Sequence, residues 1–215
     1  MIDGVIFDKD GTLFDFRASW GAWTEALLAN LAPDPRRAQA LGRVLGYDVA
    51  TRSFAKSSAV ISATTPEIAD LLHAHLPGMM LSDLNDLMNS LSADAPMLPA
   101  VDLRPVLTAL RSRGLKLGLA TNDTEYPAKR HLDRAGVLDL FDFVAGCDSG
   151  FGGKPAPGQL LAFVQRFGLT ASRVVMVGDS LHDLDAARAA GMHAVAVLTG
   201  IASAEELSEI GRAHV

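Results

Sequence analysis

The segment GVIFDKDGTLFD, residues 4–15, runs from a short apolar stretch directly into two carboxylates with a lysine between them. The apolar residues Val5–Phe7 predict a buried strand. Because residues two apart on a strand point to the same side, Asp8 and Asp10 are expected to face one site, whereas Lys9 is expected to point away and not to neutralise them. Neighbouring carboxylates repel each other, so the pair indicates a divalent cation or a shared proton, or else a polar strand end in which one aspartate caps a turn.

The composition is that of one large globular domain, or of a core domain with a smaller second one. The chain has 215 residues, of which 49% are hydrophobic and 20% charged, so a substantial core is expected and disorder is not. The formal net charge of -6 argues against nucleic acid as a partner, because phosphate backbones attract basic surfaces. A small phosphorylated ligand remains compatible with this charge, since it needs one local positive site.

Cysteine content and hydropathy predict a soluble cytoplasmic protein. Its expected assembly is open between a monomer and a homodimer. Cys147 is the single cysteine, so no disulfide can form within the chain and a reduced compartment is expected. The N-terminus carries Asp3 and Asp8 where a signal peptide would have a basic start and a longer apolar run. No stretch approaches about 20 uninterrupted apolar residues, so neither a transmembrane helix nor a membrane partner is expected.

The predicted core domain comprises residues 1–15 and 99–215. Here short apolar runs alternate with helical segments that end at glycine, which is typical of parallel βαβ units. After the first strand, further strands are predicted at KLGLA (116–120), FDFVAG (141–146), RVVMVG (173–178) and HAVAVL (193–198). The predicted fold class is therefore α/β, a doubly wound, Rossmann-like, mostly parallel sheet with helices on both faces.

Residues 16–98 are predicted to form an inserted, all-helical cap domain. Apolar residues recur there with helical spacing, and no convincing strand is present. Asp34 and Thr65, each directly before a proline, predict two helix N-caps. Trp20 and Trp23 lie three residues apart, which is the spacing that packing inside a cap helix requires.

In an open parallel sheet, ligands bind beyond the carboxyl ends of the strands, so the polar residues found there form the candidate site. These residues are Asp8 and Asp10 after the first strand, Thr121 and Asn122 after the second, Lys154 after the third, and Asp179 with Asp183 after the fourth. An all-oxygen set of carboxylates, with no Cys or His cluster beside it, favours Mg²⁺. Lys154, fixed between glycines and prolines, is expected to neutralise a phosphoryl group or an attacking carboxylate.

Four of these residues also have a plainer interpretation. Asp183, four residues beyond Asp179, either returns to face the site or only complements the dipole of the helix that it begins. Lys154 is alternatively a solvated loop lysine. Thr121 and Asn122 offer a hydroxyl and backbone N–H groups to an anion, and are alternatively a helix N-cap.

The motifs DKDGT (8–12), TN (121–122), GKPAP (153–157) and GDSLHD (178–183) occur in one order, each at the end of a predicted element. In these motifs the sequence resembles the haloacid dehalogenase superfamily, in particular its phosphoglycolate-phosphatase-like branch. The stretches AKRHLDRAGVLDLFDFVAG and DLDAARAAGM also look like this family, so the resemblance covers the whole core. The predicted cap lies where the family places a helical cap. At Lys9, similar proteins more often have an apolar residue.

The resemblance implies a Mg²⁺-dependent phosphatase for a small phosphorylated metabolite, with 2-phosphoglycolate as the leading expectation. It implies that Asp8 is the nucleophile that forms an aspartyl-phosphate, and that Asp10 protonates the leaving oxygen and then activates water. Mg²⁺ would be held by the Asp8 carboxylate, the Asp10 main-chain carbonyl and Asp179. The remaining implied roles are phosphoryl binding by Gly11, Thr121, Asn122 and Lys154, and positioning of the metal shell or of Lys154 by Asp183.

Other activities stay open at this point. Dehalogenases of the family lack an acid at the position of Asp10, so this residue favours a phosphatase. The alternatives are a sugar-phosphate or nucleotide phosphatase, a phosphomutase and, less favoured, a phosphoacceptor signalling domain or a non-catalytic binding protein. Specificity is expected to come from the cap, where Arg17 or Arg52, on reaching the site, would clamp a substrate carboxylate.

Overall fold

A computed structural model of the chain describes residues 1–208, and residues 209–215 of the predicted core domain lie outside the described residues. The strands are β1 (Gly4–Phe7), β2 (Tyr47–Asp48), β3 (Ser53–Phe54), β4 (Lys116–Ala120), β5 (Phe143–Ala145), β6 (Val174–Gly178) and β7 (His193–Ala196). The α-helices are α1 (Phe16–Leu31), α2 (Pro35–Val44), α3 (Ala59–Ser62), α4 (Thr65–His73), α5 (Leu81–Asp94), α6 (Leu103–Ser112), α7 (Glu125–Arg134), α8 (Gly158–Phe167), α9 (Leu181–Ala189) and α10 (Ala204–Ser208). The chain divides into two compact units, one of Met1–Asp15 with Met97–Val215 and the other of Phe16–Pro96.

Five strands of the first unit form one parallel sheet in the order β5-β4-β1-β6-β7. The predicted α/β fold class is confirmed. Each predicted strand is present: KLGLA has its predicted bounds in β4, and β5, β6 and β7 are shorter than predicted. β1 lies at the centre and pairs with both β4 and β6. Because these three strands run in the same direction, the residues that follow Phe7, Ala120 and Gly178 emerge at the same edge of the sheet.

Apolar clusters cover both faces of the sheet. Val5 and Phe7 of β1 belong to one cluster, together with Leu107 of α6. Ile6, which lies between them in sequence, belongs to another cluster with Phe163 of α8. Because both faces of β1 are buried, its sequence is a continuous apolar run without the polar alternation of a half-exposed strand.

The second unit is helical except for one short hairpin, which corrects the prediction of an all-helical cap. Tyr47 pairs with Phe54 and Asp48 pairs with Ser53 in an antiparallel ladder. The rings of Tyr47 and Phe54 have centroids 4.8 Å apart, so an aromatic cross-strand pair stabilises the hairpin. Strands of two residues are too short to show an alternating pattern, which is why the sequence did not indicate them.

The predicted helix starts in the second unit are correct at one position and shifted at the other. The Asp34 carboxylate accepts a hydrogen bond from the Arg37 N–H at 3.0 Å, as expected of an N-cap. Thr64 caps α4 in place of Thr65, because the Glu67 side chain accepts the Thr64 N–H and completes a capping box.

The two tryptophans of α1 are buried, as their spacing predicts. Their rings meet edge to face, with centroids 5.0 Å apart. The Trp23 indole N–H donates to the Met88 carbonyl at 3.2 Å, which ties α1 to α5. Every helix among the described residues lacks the length or the apolarity that a membrane crossing needs.

Candidate active site

Asp8 is the first residue beyond the central strand, and it is buried. Its N–H donates to the Val177 carbonyl of β6 at 2.8 Å, so pairing with the sheet continues past the end of β1 and fixes the backbone of this residue. The Lys154 Nζ lies 2.5 Å from Asp8 Oδ1. Burial raises the pKa of Asp8 to about 7; the Lys154 ammonium opposes this rise, whereas the carboxylates of Asp183 and Asp10 add to it.

Lys154 lies buried between two carboxylates, so its interpretation as a solvated loop lysine is wrong. In addition to its contact with Asp8, its Nζ lies 2.6 Å from Asp183 Oδ1. Burial by itself lowers the pKa of Lys154, but the carboxylates of Asp183 and Asp8 outweigh burial and raise this pKa above its ordinary value. The ammonium is therefore charged at neutral pH.

Asn122 fixes the backbone of Lys154. The Asn122 Nδ2 donates to the Lys154 carbonyl at 2.9 Å, and its Oδ1 accepts the Lys154 N–H at 2.8 Å. Gln159 adds a second tie, since its Nε2 donates to the carbonyls of Thr121 and Gly152 at 3.0 Å. The loop that carries Lys154 is thus bound to the end of β4. The side-chain amide of Asn122 is occupied by these bonds to Lys154. Phosphoryl binding by Asn122 therefore stays a prediction, and the group that it concerns is the backbone N–H.

Thr121 is buried at the end of β4. Its Oγ1 accepts the Asp123 N–H at 3.1 Å, and its own N–H donates to the Ala145 carbonyl at 3.0 Å. The N-cap of α7 is Thr124, so the alternative interpretation of Thr121 and Asn122 as a helix N-cap is wrong.

Asp179 directly follows β6, and small residues enclose its carboxylate. The Thr12 hydroxyl donates to Asp179 Oδ1 at 3.2 Å. Gly11 has a φ of 85°, and a Cβ on either Gly11 or Gly200 would collide with the Asp179 carboxylate. Burial raises the pKa of Asp179 to about 8, and the carboxylate of Asp8 adds to the rise.

Asp183 contacts Lys154 of the candidate site and also lies in the first turn of α9. One oxygen, Oδ1, accepts a hydrogen bond from Lys154 at 2.6 Å. The other, Oδ2, accepts from the N–H of Ser180 at 3.1 Å and from its hydroxyl at 2.6 Å, and so forms the capping box of α9. The start of α9 therefore fixes the carboxylate that holds Lys154.

Carboxylate oxygens of Asp8, Asp179 and Asp183 lie within 4.8 Å of one another, and all three residues are buried. One ammonium, that of Lys154, does not balance three such carboxylates, so the group favours either bound protons or a further cation. A hard divalent cation matches this all-oxygen donor set. The fit of the site to such an ion therefore rests on the chemistry of the donor set.

Lys9 contradicts the prediction that it points away from the two acids of its motif. Its Nζ lies 3.2 Å from Asp10 Oδ2 and 2.5 Å from Asp123 Oδ2, and its side chain is completely buried. The prediction assumed that strand alternation continues to residue 10, but β1 ends at Phe7. Each acid of the motif consequently has its own lysine: Lys154 for Asp8, and Lys9 for Asp10.

A family model for haloacid dehalogenase-like hydrolases matches residues 2–191. The chain belongs to the haloacid dehalogenase-like hydrolases. The matched range contains every residue of the acidic cluster, together with Lys9 and Lys154, so the resemblance that the sequence motifs indicate is confirmed.

Individual relatives of this haloacid dehalogenase-like chain agree with the family assignment. The phosphoglycolate phosphatase of Rhodospirillum rubrum is 32% identical over an alignment of 223 residues, gaps included, which covers 98% of this chain and 85% of that protein. The haloacid dehalogenase (HAD) phosphatase from Thermococcus onnurineus has a similar structure, with a TM-score of 0.67 at 23% identity over 99% of this chain and 92% of its own. The β-phosphoglucomutase from Clostridium difficile also has a similar structure, with a TM-score of 0.66 at 20% identity over 100% of this chain and 91% of its own. The two structures show the fold. The prediction of an enzyme of the phosphoric monoester hydrolase class is confirmed.

Sequence reasoning missed several residues that shape this hydrolase site. The Thr199 hydroxyl donates to the Gly11 carbonyl at 2.6 Å, and Gly200 lies against Asp179. Both residues follow β7, so the rule that ligands bind beyond strand ends was sufficient to find them. Thr12 lies within the first motif but received no role of its own. Nothing in the sequence indicated a role for Gln159, because a glutamine in the first turn of a helix is ordinarily exposed.

Proposed function

We propose that this hydrolase is a Mg²⁺-dependent phosphatase, and that its substrate is a small phosphorylated metabolite, 2-phosphoglycolate. The observation that carries the proposal is the Asp8 carboxylate, which is buried at the end of the central strand, held by Lys154 and grouped with Asp179. Relatives named phosphoglycolate phosphatase, 32% and 31% identical over nearly the whole chain, support this choice of substrate.

The donors suited to Mg²⁺ are the carboxylates of Asp8 and Asp179 and the main-chain carbonyl of Asp10. Gly11 and Gly200 leave room for the Asp179 carboxylate itself, and the Thr12 hydroxyl donates to it. The ion, when bound, supplies positive charge that offsets the nucleophile and the phosphoryl oxygens. In phosphoryl transfer, such charge neutralisation and positioning supply most of the catalysis.

Asp8 carries out the first chemical step. Its carboxylate oxygen attacks phosphorus, an Asp8–phosphate bond forms, and the bond from phosphorus to the ester oxygen breaks. The backbone of Asp8 is fixed by its pairing with β6, so the nucleophile is presented in one orientation. Lys154 bonds the Asp8 carboxylate and offers the nearest positive charge to the phosphoryl group that Asp8 acquires.

Asp10 moves the proton in both steps. In the first step it gives a proton to the leaving ester oxygen, and in the second it accepts a proton from the water that attacks phosphorus. The second step breaks the Asp8–phosphate bond and restores both carboxyl groups. Gly11, Thr121 and the Asn122 backbone complete the phosphoryl-binding group, since all three lie in loops that follow β1 or β4.

Residues 16–98 are proposed to form the domain that selects the rest of the substrate. Arg17 and Arg52 are the proposed partners of a substrate carboxylate. Arg52 is already engaged: its Nε lies 2.7 Å from Glu25 Oε1, and its Nη2 donates to Glu25 Oε2 at 2.8 Å. A substrate carboxylate would therefore have to displace Glu25, whereas a role for Arg17 needs no such exchange.

The test is phosphate release by the purified protein from a panel containing 2-phosphoglycolate, sugar phosphates, nucleoside monophosphates and p-nitrophenyl phosphate. We expect the highest kcat/KM for 2-phosphoglycolate, loss of release in EDTA and its recovery with Mg²⁺. A sugar phosphate that is isomerised without release of phosphate would instead indicate a phosphomutase. No release from any phosphoester would contradict the enzyme mechanism itself.

A further inference from the structure

Lys9 makes three contacts that together match the three N–H groups of an ammonium. Its Nζ lies 2.5 Å from Asp123 Oδ2, 3.2 Å from Asp10 Oδ2 and 3.0 Å from His131 Nδ1. Lys9, Asp123 and His131 are all buried. A buried lysine needs such partners, because an ammonium removed from water without them is strongly destabilising.

The partners of Lys9 come from separate elements of the sheet unit. Asp123 follows β4, and its Oδ1 accepts the Thr124 N–H at 2.8 Å, so its carboxylate is fixed at the start of α7. His131 lies within α7, two turns further on. The ammonium is thus anchored on the β4–α7 side, and from there it reaches the carboxylate of Asp10 in the loop after β1.

This cluster does not belong to the phosphoryl-binding group. Lys154 already bonds Asp8 and Asp183, and Lys9 adds no contact to either of them among the bonds that the described residues show. The Lys9 contact on the catalytic side is with Asp10. A lysine placed there for stability alone would need Asp123, but it would not need the carboxylate that exchanges the proton.

We propose that Lys9 is a positioning residue, which fixes the Asp10 carboxylate for proton transfer to the leaving oxygen. The proposal rests on the acid–base role of Asp10 in the proposed function. Asp123 and His131 act through Lys9, since they set the position of its ammonium. A carboxylate held at one oxygen by a fixed donor loses the freedom to rotate out of line with the ester oxygen, and proton transfer depends on that alignment.

The test compares two substrates whose leaving groups differ in their need for a proton. p-Nitrophenolate leaves without protonation. The alkoxide leaving group of 2-phosphoglycolate needs a proton, as does that of any other alkyl phosphate that the enzyme hydrolyses better. kcat/KM reports the steps up to formation of the aspartyl-phosphate. In Lys9→Met we expect kcat/KM to fall about 10- to 100-fold for the alkyl phosphate and less than about 3-fold for p-nitrophenyl phosphate. A lysine with a merely structural role would lower both values in the same proportion, or neither, and either result overturns the proposal.

Two reference variants make the comparison decisive. Asp10→Asn should show the same selective loss to a greater degree; if it does not, the acid–base role of Asp10 in the proposed function fails, and the role of Lys9 fails with it. If Asp10→Asn is selective and Lys9→Met is not, the role of Lys9 alone fails. Lys116→Met is the matched control, because it removes a lysine that is also paired with an aspartate, Asp142, at the opposite end of β4; it should leave both values unchanged.

Folding of the variants is checked by thermal unfolding before the kinetics are compared. If Lys9→Met does not fold, the double variant Lys9→Met/Asp123→Asn removes both buried charges, and such paired neutral replacements are often tolerated. Asp123→Asn alone keeps an acceptor for the Thr124 N–H and weakens the anchor of Lys9. Relative to the wild type, either variant should lower kcat/KM for the alkyl phosphate divided by kcat/KM for p-nitrophenyl phosphate. An unchanged ratio in a folded variant contradicts the proposal.

Discussion

Replacement of Asp179 by asparagine should stabilise the metal-free protein at alkaline pH and abolish its response to Mg²⁺. Asparagine keeps the shape of the side chain and keeps an oxygen that accepts from the Thr12 hydroxyl. It removes one of three buried carboxylates whose oxygens lie within 4.8 Å of one another. Repulsion among the three carboxylates destabilises the metal-free protein, and in the proposed mechanism the bound cation removes this repulsion.

The sign follows from the pKa of Asp179, which burial raises from 3.8 to about 8 in the folded protein. Between these pH values the folded protein binds a proton that the unfolded chain has released, so stability falls as pH rises across this range. The full shift corresponds to roughly 6 kcal/mol at about 1.4 kcal/mol per pKa unit. Because Asp8 shares the repulsion and can take up a proton instead, we expect Asp179→Asn to gain about 2–4 kcal/mol at pH 8 and almost nothing at pH 4.

The assay is thermal unfolding of wild type and Asp179→Asn at several pH values, in EDTA and in excess Mg²⁺. In a protein of this size the gain of stability at pH 8 corresponds to a Tm increase of roughly 4–16 °C in EDTA. Mg²⁺ should raise the Tm of the wild type and should not raise that of the variant. At a Mg²⁺ concentration of 100 times its Kd, the gain in the free energy of unfolding of the wild type is about 2.7 kcal/mol. A variant less stable than wild type at pH 8 in EDTA, or a difference independent of pH, would refute the reasoning.

Asp142→Asn is the matched control, since it should show the opposite trend. Burial acts to raise the pKa of Asp142, but the Leu117 N–H and the ammonium of Lys116 lower it below its ordinary value. A carboxyl with a lowered pKa stabilises the fold above its unfolded pKa, and this contribution disappears as pH falls through its folded pKa. Asp142→Asn should therefore destabilise the protein at neutral pH and have a smaller effect in acid.

Three further predictions concern the site and the second unit. Lys154→Met should lower kcat by about 100- to 1,000-fold for every phosphoester tested, since it removes the ammonium beside the nucleophile, and a loss confined to one substrate would contradict this role. Mg²⁺ binding should weaken at least about 10-fold from pH 8.5 to pH 6, because Asp8 and Asp179 must release protons from groups with a pKa of about 7 and about 8; calorimetry in two buffers measures both the affinity and the released protons. Arg17→Ala should raise KM for 2-phosphoglycolate more than for p-nitrophenyl phosphate, and Arg52→Ala should do so less because Glu25 already holds Arg52; equal effects on both substrates would rule out a carboxylate clamp.

The sequence was sufficient to predict the sheet and the clustering of its acids. Parallel strands buried on both faces are continuous apolar runs, and β1, β4 and β6 each show such a run followed directly by polar residues. Once these strands are neighbours, Asp8 and Asp179 must meet, because both follow the carboxyl ends of strands in one parallel sheet. This inference needs no knowledge of side-chain rotamers.

Contacts that depend on the exact end of an element were not predictable. The direction of Lys9 was wrong because one strand ends at Phe7, and alternation carries no information beyond that residue. The bonds between Asn122 and the backbone of Lys154 depend on how a glycine-rich loop returns to β4, and sequence spacing does not determine such a path. The short hairpin at Tyr47 was hidden for the related reason that two residues give no period.

The most direct test of the mechanism is to identify the residue that becomes phosphorylated. Wild type and Asp8→Asn are mixed with ³²P-labelled substrate and Mg²⁺ and quenched in acid within one turnover, so that the ³²P measures the acyl-phosphate. Parallel samples with unlabelled substrate are reduced with tritiated borohydride, which releases the phosphate and leaves tritium on the phosphorylated residue for peptide sequencing. The mechanism predicts a base-labile label on Asp8 in the wild type, with neither label nor phosphate release in Asp8→Asn. A label on another residue, or turnover by Asp8→Asn at a rate comparable to that of the wild type, would contradict it.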